Sequence, residues 1–403
     1  MAEPVTAPER IASIDVLRGV ALLGILLMNI QSFSMPSAAY LNPTAYGDLT
    51  GANRWVWIIT HLFADQKFIS IFSMLFGAGI LLIAERVGPE HATRIHYRRM
   101  AVLLVFGLLH AHLLWSGDIL YTYALCGMLV YLARHLTPKA LIILGVLLHA
   151  GSTVFFIANA ILLRGAPPEV IAQVTNDFWL SPPAELAREL AAFRGGWLAQ
   201  QTFRGPDAMS METFIFLIDI AWKTSGLMLV GMALYKLGVL SAQRSRAFYR
   251  RMVVLGFGLG LPVIAFGVWT NFRAGWQFPY SLFYGTQFNY WGSVAVALGW
   301  VGLVMLLVQS GRAARLTRRL GAVGRTAFSN YILQTLLGIA IFYGTGLALF
   351  GRVERVGQLF TVFAIWAVQL AVAPIWLRHF EFGPLEWLWR SLTYGKAQPM
   401  RRR

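Results

Sequence analysis

GLLHAHLLWSGDIL, residues 107–120, places His110, His112 and Asp118 within one short segment. An imidazole oriented by a carboxylate is a suitable general base for deprotonating a hydroxyl or an amine. On a straight helix, residues two apart point roughly 200° from each other, so His110 and His112 cannot both ligate one metal. Asp118 follows a Trp-Ser-Gly turn and opens the next apolar run, a position that favours an aspartate N-cap. Capping and imidazole orientation are therefore both open to it. Cys126, the sole cysteine, sits in an apolar run and offers neither a disulfide nor a metal cluster.

Further ionisable and amide side chains interrupt apolar sequence, where each needs a partner or a purpose. SIDVLRGVALLGILLMNI (13–30) sets Asp15 three residues before Arg18, an expected self-neutralising pair. Arg18 and Asn29 point almost the same way on a helix, about 16 Å apart along its axis, so this face is expected to line a cavity or an inter-helix seam. Asp219 and Lys223, at i,i+4, read as an intramembrane ion pair that either fixes packing or belongs to a transport path. In GRTAFSNYILQTLL (324–337), Arg325 opens the run, and Asn330 and Gln334 share a face suited to interhelical hydrogen bonds.

The elements carrying these residues must be membrane helices, because the 403-residue chain is 57% hydrophobic and only 13% charged. The expected fold is all-α: one polytopic integral membrane domain over residues 1–403, with about ten transmembrane helices and short interfacial helices. The spans are placed at 14–33, 68–86, 97–116, 119–134, 140–162, 212–236, 248–272, 286–309, 325–348 and 356–377. The first is expected to remain as a helix and not be cleaved as a signal peptide, because Glu3, Glu9 and Arg10 replace a positive leader and Asp15 and Arg18 break the apolar stretch. Residues 163–211 form an extracytoplasmic loop with amphipathic helices, and 380–403 a cytoplasmic interfacial C-terminal segment. Tryptophan-rich 55–63 reads as an interfacial helix feeding the second span.

The net charge of +16 does not indicate nucleic acid. With a cytoplasmic N-terminus and an even number of spans, 24 of the 34 lysines and arginines fall on the inner segments and eight on the outer ones. That bias is the positive-inside pattern, so both termini are expected in the cytoplasm of a bacterial inner membrane. The basic loops would rest on anionic lipid headgroups. Clusters such as RLTRR (315–319) with Arg325 could instead hold a phosphate-rich ligand, an acyl-CoA or a nucleotide.

Four regions, SIDVLRGVALLGILLMNI, KFISIFSMLFGAGI (67–80), GLLHAHLLWSGDILYTYAL (107–125) and GRTAFSNYILQ with FGPLEWLWRSLTYG (382–395), resemble the YeiB-like family of bacterial membrane proteins carrying domain of unknown function 418. By similarity that family is grouped with transmembrane acyltransferases, including heparan-alpha-glucosaminide N-acetyltransferase and bacterial polysaccharide O-acetyltransferases, which share the arginine of LRG in the first helix. In the O-acetyltransferases a reactive histidine lies eleven residues after that arginine; here the position is Asn29. The resemblance thus implies a base from elsewhere, His110 or His112 with Asp118 as orienter and His61 as the fallback, while Arg18 helps to organise the donor.

Two functions are expected from these observations. The first is an acyltransferase-like protein moving an acyl group from cytoplasmic acyl-CoA to a hydroxyl or amine acceptor, a small molecule or an envelope glycan, at the outer face. The second is a carrier or binding protein for a lipid, quinone or small metabolite, with Asp219, Lys223 and Asn29 lining its path. A homodimer is left open as the assembly.

Overall fold

A computed structural model of the chain describes residues 11–402. Apolar sequence that must satisfy its own backbone hydrogen bonds in lipid becomes helix. Among the described residues the only extended pairing is an isolated bridge between Phe380 and Arg401. The helices run α1 Ala12–Ser34, α2 Ala38–Leu41, α3 Gly51–Phe63, α4 Lys67–Val87, α5 Pro89–Leu113, α6 Leu120–Val130, α7 Pro138–Leu162, α8 Pro168–Thr175 and α9 Pro183–Arg194. They continue with α10 Trp197–Ser210, α11 Ala221–Lys236, α12 Arg246–Arg273, α13 Thr286–Ser310, α14 Ala314–Arg325, α15 Ala327–Phe342, α16 Arg355–His379 and α17 Pro384–Tyr394. Glu3, Glu9 and Arg10, on which the signal-peptide argument rests, lie outside the described residues.

Seven helices among the described residues are long and apolar enough to cross a membrane: Ala12–Ser34, Gly51–Val87, Pro138–Gly165, Trp197–Lys236, Arg246–Arg273, Ser281–Ser310 and Arg355–His379. The chain is a multi-pass membrane protein. Each of the ten expected spans overlaps a helix, though 325–348 runs beyond the end of α15 at Phe342, and three lie outside this set. The first half of α5 is too polar, with Glu90, Arg94, Arg98 and Arg99, and α6 and α15 are short apolar helices. The 55–63 segment forms most of α3, which runs into α4 through a break where Gln66 adopts a left-handed conformation (φ 64°).

α1 is the spine, packing against α4, α14, α15 and α16. Its approach to α14 is backbone on backbone, since a Cβ on Gly19 would fall 2.0 Å from the Leu320 carbonyl oxygen. Small residues at such crossings let helices bring their backbones together. The α5–α6 hairpin closes in the same manner, with Gly107 against the Tyr121 amide. That contact brings the end of α5, with its histidines, beside the start of α6. On the other flank of α4, α7 and α11 pack together, as do α12 and α13.

Candidate functional site

Asp118 sits in the turn between α5 and α6. Its Oδ2 accepts the Tyr121 backbone N–H at 2.9 Å, which caps α6, and its Oδ1 accepts from His110 Nδ1 at 2.7 Å. One carboxylate therefore does both jobs open to it. With Nδ1 donating, His110 Nε2 is left as an acceptor and faces Thr335 Oγ1 on α15 at 3.0 Å. The His110 and Asp118 side chains are 2% and 0% exposed, so their pairing is screened from bulk water.

A cavity of about 250 Å³ approaches this pair without being lined by it. Its mouth holds Arg18, Arg99, Arg325 and Arg390, together with Asp15 and Glu386. Its walls are apolar, with Leu22 and Ile25 of α1 and Phe72, Leu75 and Phe76 of α4. It ends at Tyr123, Tyr331 and the Ile119–Leu120 backbone that follows Asp118. The Tyr331 ring lies 5.2 Å from the His110 ring. From Asp15 to Ile25 the cavity follows α1 for about 15 Å at 1.5 Å per residue.

The mouth is held by contacts that fix its charges. Arg18 bonds Asp15 at 3.0 Å, and the Arg99 guanidinium lies 4.1 Å from the Trp389 ring centre, tying α5 to α17. Glu386, from α17, accepts the backbone N–H groups of Phe328 and Ser329 at the start of α15. Burial pushes its carboxyl above the usual range, and the Ser329 hydroxyl and these amides oppose that shift.

The structure does not gather all the sequence-predicted residues at this site. His112, two residues beyond His110, points from the opposite side of α5 and bonds Glu212 at 3.0 Å, with its side chain 40% exposed. Asn29 is half-buried, and the cavity that Arg18 opens stops short of it. The polar face of α1 is thus used at one end only. Asn330 and Gln334 both bond Gln369 of α16, at 3.1 and 3.0 Å, an amide ladder that joins two helices. Arg325 reaches the Glu381 carbonyl at 3.5 Å and lines the mouth.

Asp219 and Lys223 lie in a different part of the molecule. Their 3.5 Å pair is joined by Ser152, which donates to Asp219 at 2.5 Å, and by Tyr290, whose ring lies 5.8 Å from the lysine ammonium. His149 stacks on that same tyrosine. Nearby, His61 and Asp65 pair at 3.0 Å, and Asn289 bridges Asp65 and Lys67. Lys67 is wholly buried at the α3–α4 break and also donates to the His61 carbonyl. No group of three or more metal-binding side chains occurs among the described residues.

Residues 234–396 match the family described as Protein of unknown function (DUF418). Over nearly its whole length the chain is similar to YeiB of Escherichia coli K12, with 32% identity covering 97% of this chain and 98% of that protein. It is 29% identical to YxaH of Bacillus subtilis 168, over 99% of this chain and 98% of the relative. Both relatives are described as uncharacterized proteins. The chain belongs to the DUF418 family. The family match begins at the end of α11 and includes α14, α15 and α17, hence Arg325, Tyr331, Thr335, Glu386 and Arg390.

In this DUF418 chain four residues that the structure puts to use were not singled out as site residues from the sequence. Thr335 is a lone hydroxyl in an apolar run, without a charge to draw attention. Tyr331, four residues earlier, shares its helix face, and that i,i+4 spacing was the available signal. Lys67 and Asn289, 222 residues apart, meet only through the packing of α4 on α13.

Proposed function

We propose that the protein is a membrane acyltransferase that takes an acyl-CoA at its arginine-rich side and transfers the acyl group to a hydroxyl or amine at the opposite side. One observation carries the reading: a single cavity runs from an arginine-ringed mouth to Tyr331, whose ring lies 5.2 Å from that of His110, and to Ile119, the neighbour of Asp118. Guanidinium groups suit the phosphates of a CoA headgroup. An apolar bore of about 15 Å suits its extended pantetheine arm, whose thioester would then arrive beneath Tyr331. The arginine-rich side is assigned to the cytoplasm of a bacterial inner membrane, with both termini there, on the loop bias of 24 against eight. The acceptor is a small molecule or an envelope glycan reached from the outer face.

His110 has the parts of a general base, with Nδ1 fixed by Asp118 and Nε2 facing a hydroxyl, that of Thr335. Asn29 therefore need not supply one. The reading is tested by incubating purified protein in lipid nanodiscs with acetyl-CoA labelled in its acetyl group and with cell-envelope acceptors. Label transfer that Arg18→Gln weakens about tenfold through donor affinity, as expected for loss of one charge-assisted contact, supports it. Neither donor binding nor transfer across a broad acceptor panel would remove it.

A carrier for a lipid, quinone or small metabolite is the second reading. It is favoured by the buried polar groups around Lys67, Asn289 and Lys223, which the acyl-transfer path does not use. Native mass spectrometry after gentle extraction would then find a retained amphiphile, lost in Lys223→Met.

A further inference from the structure

We infer that Thr335 is the first acceptor of the acyl group, forming an acyl-threonine ester through a Thr335–His110–Asp118 triad. The inference rests on the acyl-transfer reading above and adds the covalent step to it. Its basis is the direction of the hydrogen bonds. An ionised carboxylate can only accept, so the Nδ1–H of His110 donates to Asp118 at 2.7 Å and Nε2 is the basic nitrogen, facing Thr335 Oγ1 at 3.0 Å. The threonine hydroxyl has one proton, and its other acceptor within reach, the Tyr331 carbonyl, is at 3.5 Å. The proton is therefore directed at the imidazole. An outside acceptor could not give His110 a proton without first displacing this hydroxyl.

A nucleophile held by a base that is itself oriented by a carboxylate is the triad arrangement, and it is recognised by geometry and roles. Of the other hydroxyl and thiol groups nearby, the Tyr331 hydroxyl is buried without a hydrogen-bond partner, and two more are committed elsewhere. The Tyr123 hydroxyl bonds Ser73 at 3.0 Å, and the Cys126 sulfur faces the Ala221 carbonyl. Thr335 is fully buried, and the cavity ends one turn away at Tyr331, on the same face of α15. The Tyr331 ring thus stands between the end of the cavity and the triad.

The chemistry balances with the donor alone. Thr335 Oγ bonds the thioester carbonyl carbon while its proton passes to His110 Nε2. The carbon–sulfur bond breaks, and the departing sulfur takes that proton to leave as free CoA thiol. In the second half, the acceptor hydroxyl or amine attacks the ester carbonyl and gives its proton to Nε2. The carbon–oxygen bond to Thr335 then breaks, and Oγ recovers the proton.

The test uses the full chain in nanodiscs, acetyl-CoA labelled in its acetyl group and no acceptor, quenched in acid and followed by peptide mapping. The expected result is an alkali-labile acetyl group on Thr335. In the acceptor assay Thr335→Val should lose at least a hundredfold in transfer while still binding CoA and eluting as a monodisperse particle, and Thr335→Ser should restore most of the rate. Transfer by Thr335→Val within threefold of the unaltered protein, or acetyl mapped to His110, would overturn the covalent step and leave acyl transfer standing. Failure of the unaltered protein to bind or transfer from acetyl-CoA would sink both.

Discussion

His110 donates from Nδ1 to Asp118 at 2.7 Å, while the same carboxylate holds the first turn of α6 through Tyr121. The two roles can be separated by substitution. Asparagine is as good an N-cap as aspartate, so Asp118→Asn should keep the thermal midpoint within a few degrees. It can also present a donor to Nδ1 and reverse the tautomer, which should lower acyl transfer by about 10³–10⁴-fold. Asp118→Ala should lose transfer and also about 1–2 kcal/mol of stability with the cap. Thermal scans beside transfer rates check this, and an Asp118→Asn variant that keeps both its melting temperature and its transfer rate would show the residue to be a cap alone.

Gly19 sits where α1 meets α14, and a Cβ there would lie 2.0 Å from the Leu320 oxygen. Gly19→Ala should destabilise the protein by about 1–3 kcal/mol, since backbone atoms must move to make room. It should also weaken CoA binding, because Arg18 and Arg325 flank this crossing. Gly258→Ala on α12, where a Cβ meets nothing within 4 Å, is the control and should be neutral. Melting and donor titration of the two variants provide the comparison.

Glu189 of α9, outside the spanning helices, accepts the Ser37 backbone N–H at 2.9 Å. Burial pushes its carboxyl up from 4.5 to about 7, and the Ser37 bond opposes that rise. The folded protein therefore holds a proton that the unfolded chain releases near 4.5. Stability from this group should fall as pH rises from about 4.5 to about 7, by roughly 3 kcal/mol, and change little above that. Glu189→Gln should flatten this part of the profile. Thermal midpoints at pH 5 and pH 8 measure it, and an unchanged slope in the variant would refute the assignment.

Lys223→Met should leave acyl transfer within twofold of normal, since Lys223 pairs with Asp219 away from the cavity that serves His110. Donor affinity should be unaltered as well. A loss of transfer, with the variant still folded by gel filtration, would show that Lys223 serves the acyl-transfer path after all.

The helices were legible in the sequence because lipid demands long apolar runs, and each expected span overlaps a helix, seven of which are long and apolar enough to cross. Their exact number was harder to read. α5 carries arginines along its first half, and these face the cavity mouth or the arginine-rich surface. The Asp15–Arg18 pair and the shared face of Asn330 and Gln334 followed from helical spacing alone. His112 and Asn29 were grouped with the site because sequence proximity and helical phase do not say what stands opposite each face.

The sequence by itself determined a chain of membrane helices, the family to which it belongs, and the presence of a histidine followed by a carboxylate at a helix turn. Each depends on composition, periodicity or local spacing, and such signals act over a few residues. Only the tertiary structure decided that Asp118 serves His110 and not His112, that Thr335 completes the set from 225 residues away, and that four arginines share one cavity beneath it. Those relationships are fixed by close helix crossings such as Gly19 on Leu320, where packing brings distant segments into contact.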